Sequence, residues 1–286
     1  MNKIQKKVIF CSILKNEEKN LEKFFLLIKS LKEIFDDYFI ILVESESSDN
    51  TVKLAKKYLL NLKGTIISKN TSIYKKRTEK TAFCRNQYLK FIKKNKKLMK
   101  FNYLIILDGD KINHLINKKK LIDIILNTKI NWTAIFSNQL FFYYDLWTLR
   151  IKNIFDFDCF EKLQKLSKEK VPKLIFKNIF FYGINLIRKS NKRFLKVKSA
   201  FGGFAIYKLK KALKFQYSSS NGKYCEHVMF NLKINQKYGN LYIDKKLTNS
   251  FGINLHTINI ILCSYFNYFA KRFIKKISES RYYEYR

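Results

Sequence analysis

The sequence predicts an α/β protein built on a mostly parallel sheet with helices on both faces. Three observations predict it. Short apolar runs alternate with segments whose apolar residues recur at helical spacing. The strand-like runs are apolar throughout, as in sheets buried on both faces. Polar, acid-rich clusters follow three of those runs, and parallel sheets of this kind bind ligands at the carboxyl ends of their strands.

The elements follow in order. VIFCSIL, Val8 to Leu14, is a continuous apolar run of strand length. Leu21, Phe24, Phe25, Ile28, Leu31 and Phe35 then predict a helix from Leu21 to Phe35. YFIILVE, Tyr38 to Glu44, is a second strand, after which Asp49 is placed to cap a helix reaching Leu60. GTIIS, Gly64 to Ser68, is a third strand, Thr78 to Lys94 is helical, and YLIILD from Tyr103 is a fourth strand. The second half is less regular. Trp132 to Trp147 reads as two strands, or as one strand and a long loop. Lys196 to Lys208 is strand-like with Gly202-Gly203 inside it, the mark of a close backbone approach or a bulge. Cys225 to Lys237 is helical and NLYIDKKL, from Asn240, is another strand. After His256, the stretch INIILCSYFNYFAKRFIKKI is basic and amphipathic, suited to a membrane interface or to packing back on the core.

Composition narrows the classes. With 286 residues, 47% hydrophobic and 16% aromatic, the chain suits one large domain. A single Pro and eight Gly leave no flexible linker. The net charge of +36 attracts polyanions, anionic membrane surfaces and anionic substrates. Only eight of its 58 basic residues are Arg, and no nucleic-acid-binding signature is visible, so a specific nucleic-acid reader is disfavoured. Five scattered Cys without a CxxC predict a reducing, cytosolic compartment rather than a zinc site or a disulfide framework. The first apolar run lacks the length and cleavage site of a signal peptide, and no stretch reaches the ~18 uncharged apolar residues of a membrane span.

The stretch that carries chemistry is Asp108-Gly109-Asp110, two carboxylates ending a buried strand in a strongly basic chain. Asp-Gly alone reads as a turn. A divalent cation is the other reading, since Mg²⁺ or Mn²⁺ takes one or two carboxylates plus substrate phosphates. Asn16-Glu17 and the segment from Glu44 to Asp49 end two other strands and fall on the same rim, which favours the cation. The glycine between the acids would let a diphosphate approach the backbone.

VIFCSILKNEEKNLEKF, IILVESESSDNT, FCRNQYL and YLIILDGD follow in the order seen in A-type-fold glycosyltransferases, which use nucleotide-sugar donors. Residues 7 to 112 resemble the donor half of that family, of the family-2-like kind. YYDLWTLR, FGGFAIY and CEHVMFN are similar to the acceptor half of a branch that includes fungal capsule mannosyltransferase-like proteins. The resemblance implies a single Rossmann-like A-type fold, with a donor half over 1–112, an acceptor half over 113–257 and an amphipathic helical extension over 258–286. It implies Mn²⁺ or Mg²⁺ as cofactor, a nucleotide-sugar donor and a glycan or lipid-linked acceptor.

Residue by residue, it implies that Asn16, Glu17 and Glu44 serve the donor, with Glu44 standing where the family usually has Asp. Arg85 and Asn86 fall near the donor, where Arg85 either binds phosphate bidentately or lies on a helix surface. Asp110 would hold the metal and Asp108 would touch ribose or metal. His256 is either a third ligand or a structural histidine. Glu226 is either the base that deprotonates the acceptor, as in inverting relatives, or a helix N-terminal acid favoured by the dipole. Asp145, Trp147, Gly202, Gly203 and His227 are acceptor-side candidates, and the aromatics among them suit a core equally well. The expected protein is a metal-dependent glycosyltransferase, cytoplasmic and peripheral at the inner face of the membrane. A noncatalytic basic protein binding membrane surfaces or polyanions is the alternative. A nucleotidyltransferase is disfavoured because CSILKNEE lacks a Gly-rich phosphate loop.

Overall fold

Side by side in the parallel half of one sheet lie β1 (Ile4–Leu14), β2 (Phe35–Glu44), β3 (Gly64–Ser68) and β4 (Tyr103–Leu107). This is seen in a computed structural model that describes residues 4–141, 143–158, 187 and 190–252. The other strands are β5 (Ala134–Gln139), β6 (Phe194–Val197), β7 (Phe204–Lys208) and β8 (Leu241–Ser250). The sheet order is β3-β2-β1-β4-β7-β5-β8-β6. Only β7 and β6 run against the others, so the sheet is mostly parallel, as expected.

Two apolar layers cover the sheet because successive strand residues face opposite ways. Ile9 and Cys11 of β1 and Leu104 and Ile106 of β4 pack against Tyr88, Leu89 and Ile92 of α3 (Arg77–Lys94) and Phe230 and Ile234 of α6 (Glu226–Tyr238). Val8, Phe10, Ile105 and Leu107 face the other way. They meet α1 (Leu21–Lys32), α2 (Thr51–Leu59) and α4 (Lys118–Ile122). Another short helix, α5 (Leu209–Ala212), follows β7 directly. Each fully buried Leu, Ile or Phe contributes about 1.5–3 kcal/mol to this packing.

Three expectations need correction. The first helix stops at Lys32 and Phe35 opens β2. Phe35 joins the same apolar layer as the helix, which is why its spacing read as helical. The N-cap of α2 is Asn50 and not Asp49, although Asp49 Oδ1 accepts the Thr51 N–H at 3.0 Å. Gly202-Gly203 is not inside one strand: with φ of 68° and 87° it forms the turn between the segment containing β6 and β7. Of the two readings of Trp132 to Trp147 the second holds, since the only regular strand there among the described residues is β5. His256 and the 258–286 extension lie outside the described residues.

Candidate active site

The carboxyl ends of β2, β1 and β4 are neighbours in the sheet, and that adjacency builds the site. Leu14 pairs with Glu44, and Cys11 pairs with Ile106, so three residues further on Leu14 comes level with Gly109. A Cβ on Gly109 would sit 2.5 Å from Leu14 Cδ2, which gives a packing reason for glycine between the two acids. The loops after β1 and β2 are laced together. Asn16, in the left-handed region with φ of 55°, accepts the Ser48 N–H at 2.8 Å, and the Glu17 N–H donates to Thr51 Oγ1 at 2.7 Å. Glu44 is buried at the strand end and accepts the Ser47 N–H at 2.5 Å. Asn16 and Glu44 therefore hold the shape of the rim whatever they do for a ligand.

Asp108 and Asp110 project from the loop that leaves β4. The Asp108 side chain keeps 30% of its surface open and Asp110 is exposed. Asp110 Oδ1 accepts the Ile112 N–H at 3.1 Å, capping a single 3-10 turn over Lys111–Asn113. Protein packed around Asp108 displaces enough water to push its carboxyl up to about 7, against the Arg85 charge and with help from Asp110. Asp110 is raised by the same loss of water, and Glu17 is raised first by burial and then by Asp110. Carboxylates crowded until they resist ionising gain most from an added cation. Among the described residues no cluster of three or more His, Cys, Asp or Glu forms a closed cage. Two carboxylates with open positions suit a hard divalent cation that takes its other ligands from phosphate and water.

The Gly202-Gly203 turn docks directly on this loop. The Asp108 N–H donates to Gly203 O at 3.0 Å, and Leu107 pairs with Phe204 across the antiparallel β4–β7 ladder. Asp145, buried, accepts the Gly202 N–H at 2.9 Å and the Thr148 hydroxyl at 2.7 Å. Three amides missed in the sequence complete the clamp. Gln139, Asn249 and Asn113 pass hydrogen bonds to one another and to the Gly202 and Gly203 carbonyls, and Asn113 Nδ2 also reaches Asp108 O at 3.2 Å. Nothing in their spacing marks them, because Asn249 and Asn113 are 136 residues apart.

On the other side of Asp108 stands Arg85, buried on α3. Its Nη2 is 3.6 Å from Asp108 Oδ1 and its Nε donates to Glu226 Oε1 at 3.0 Å. Glu226 is the first residue of α6 and is itself buried. Arg85 is thus not a surface residue, and Asp108 and Glu226, from the two halves of the chain, meet on its guanidinium. The Phe201 and Tyr217 rings lie 5.3 and 5.9 Å from the guanidinium carbon. His227 stacks on Phe201 at 3.8 Å, fully enclosed, and burial pulls its imidazole well below the usual value, so it is neutral. Asn86 stands apart: its amide donates to Tyr217 O at 2.9 Å and accepts the Tyr217 N–H at 2.8 Å. Trp147 is half-buried against the core layer, and its carbonyl accepts from Arg150, which is paired with Asp158.

The same architecture occurs in a solved enzyme. Mannosyltransferase PcManGT from Pyrobaculum calidifontis, solved in complex with GDP-Man and Mn²⁺, matches over 88% of this chain with a TM-score of 0.54 at 11% identity. The chain has the A-type glycosyltransferase (GT-A) fold. It spans 58% of the length of PcManGT. S. aureus TarS 1–349 matches over 85% of this chain and 59% of its own length, with a TM-score of 0.48 at 14% identity. Glucosyl-3-phosphoglycerate synthase from M. tuberculosis matches over 87% of this chain and 72% of its own length, with a TM-score of 0.46 at 10% identity. No protein-family profile and no curated protein matches the chain. On the GT-A sheet, the acid pair Asp108 and Asp110 lies after the fourth strand, at the centre of the rim.

Proposed function

We infer that the protein is a metal-dependent glycosyltransferase that moves a sugar from a nucleotide-sugar donor to a glycan or lipid-linked acceptor. The observation that carries this reading is the meeting of Asp108 and Glu226 on Arg85 at the rim of a GT-A sheet, with Asp110 two residues beyond Asp108. Asp108 and Asp110 would hold Mn²⁺ or Mg²⁺, which neutralises a diphosphate leaving group; His256 is the candidate third ligand. Glu17 and Glu44 line the donor side of the rim, and Asn16 sets its shape. Glu226, held by Arg85 at the start of α6, takes the proton of the acceptor hydroxyl as general base. The Gly202-Gly203 turn, fixed by Asp145, presents the wall on which the acceptor lies, and the basic stretch after His256 holds the enzyme at an anionic membrane surface.

The test is calorimetric titration with UDP and with GDP, with and without Mn²⁺, on the wild type and Asp110→Ala. Asp110 makes one capping hydrogen bond, so its removal costs about 0.5–2 kcal/mol of stability. Metal-dependent binding of one nucleotide, lost in Asp110→Ala while the thermal midpoint falls only slightly, is the expected result. Equal binding by the variant would sink the metal assignment.

A further inference from the structure

The Arg85 guanidinium is shared unequally. It donates to Glu226 at 3.0 Å, but its approach to Asp108 stops at 3.6 Å, outside hydrogen-bonding range. Beyond the two carboxylates the side chain, only 4% exposed, faces the Tyr88 and Tyr217 phenols, and the Tyr88 hydroxyl shares a hydrogen bond with it. A buried guanidinium normally fills its donors, because an unpaired buried donor is costly. The Nη2 donor facing Asp108 is the one left short, so the guanidinium has room to close on Asp108, and its Nε bond to Glu226 opposes that movement. The Phe201 and Tyr217 rings, themselves packed against His227, confine the guanidinium beside both carboxylates.

We propose that Arg85 is a positioning residue that couples the two sides of the site: drawn toward Glu226, it stands back from Asp108 and leaves that carboxylate free for a divalent cation. Glu226, held on Nε while Asp108 faces Nη2, thereby governs cation affinity through the guanidinium without touching Asp108. Occupancy of the cation site in turn pushes the guanidinium toward Glu226, since like charges repel across the short gap. Linkage makes the coupling reciprocal, so the acceptor-side acid is most firmly held when the donor side is filled. The proposal rests on the reading of Asp108 and Asp110 as the cation's ligands.

The experiment is a double-mutant cycle read by Mn²⁺ binding alone, with titration of the free ion on wild type, Glu226→Gln, Arg85→Met and the double variant. Glu226→Gln removes the charge that holds the guanidinium back, so Mn²⁺ affinity is expected to fall about fivefold or more. In the Arg85→Met background the same change should shift affinity by less than about twofold, within the additivity error of uncoupled sites. Arg85→Lys serves as a second background, because one ammonium cannot span both carboxylates as a fork does. It carries the cycle if Arg85→Met does not fold. An undiminished fall in both Arg85 backgrounds would mean that Glu226 acts directly through space, and would overturn the coupling while leaving the cation site intact. Unchanged affinity in Glu226→Gln would overturn it too. Failure of the wild type to bind Mn²⁺ would remove the cation reading itself and this proposal with it.

Discussion

Asp108 decides the behaviour of the site at the residue scale. Its carboxyl is raised to about 7, chiefly by loss of water around it, with Asp110 nearby and Arg85 only partly compensating. A raised carboxyl binds its proton in the folded chain at pH values where the unfolded chain has lost it. That contribution is fully present at low pH and disappears as pH rises toward the folded value. The ligand-free protein should lose stability between about pH 4 and pH 7 on this account. A cation must displace the same proton, so apparent Mn²⁺ affinity should rise about tenfold per pH unit below pH 7 and level off above it. Thermal unfolding at pH 5 and pH 8, with and without Mn²⁺, checks both signs: the gain from Mn²⁺ should be larger at pH 8. Asp108→Asn should flatten the difference. An equal gain at the two pH values would mean that Asp108 does not meet the ion.

At the scale of elements, the turn before β7 is what fixes Asp108 in place. Gly203 has φ of 87°, and a Cβ there would lie 2.7 Å from Ile112 Cγ2. Gly203→Ala should therefore cost about 1–3 kcal/mol of stability through backbone strain and overpacking. Because Gly203 O takes the Asp108 N–H, the same change should also weaken Mn²⁺ binding. Denaturant unfolding and an Mn²⁺ titration on one variant measure the two effects together, and loss of stability with full Mn²⁺ affinity would separate the turn from the site. This element also marks where sequence reading stops. The parallel half was legible, because fully apolar strands and helical spacing are local signals, and the order β2-β1-β4 then puts the acid clusters on one rim. The insertion of β7 between β4 and β5 was not, since the pairing of Leu107 with Phe204 has no local signature. The same holds for Arg85 and Glu226, 141 residues apart, whose contact turned two separate candidates into one constellation.

Across the whole molecule, the charge of +36 outweighs any single ion pair. Lysines on each of the helices α1 to α6 repel one another across solvent, while the pairs that shape the site are enclosed: the Arg85 side chain is 4% exposed and that of Glu226 7%. Salt should act on these two populations differently. Raising NaCl from about 0.05 to 0.5 M shortens the screening length to roughly 4 Å. Self-repulsion in the compact state then weakens, so the thermal midpoint should rise by a few degrees. Attraction of an anionic nucleotide to the basic surface weakens over the same range, so its association should slow and its affinity should fall. The buried Arg85–Glu226 contact is poorly screened, and the Mn²⁺ coupling carried by it should persist at high salt. Stability and nucleotide affinity therefore move in opposite directions with salt, and a titration series at several NaCl concentrations, paired with melting curves, reads both. If stability fell with salt, the excess charge would have to be compensated within the folded chain. If nucleotide affinity held constant, binding would rest on the enclosed groups of the rim alone, and the lysines would be a feature of the surface and not of the site.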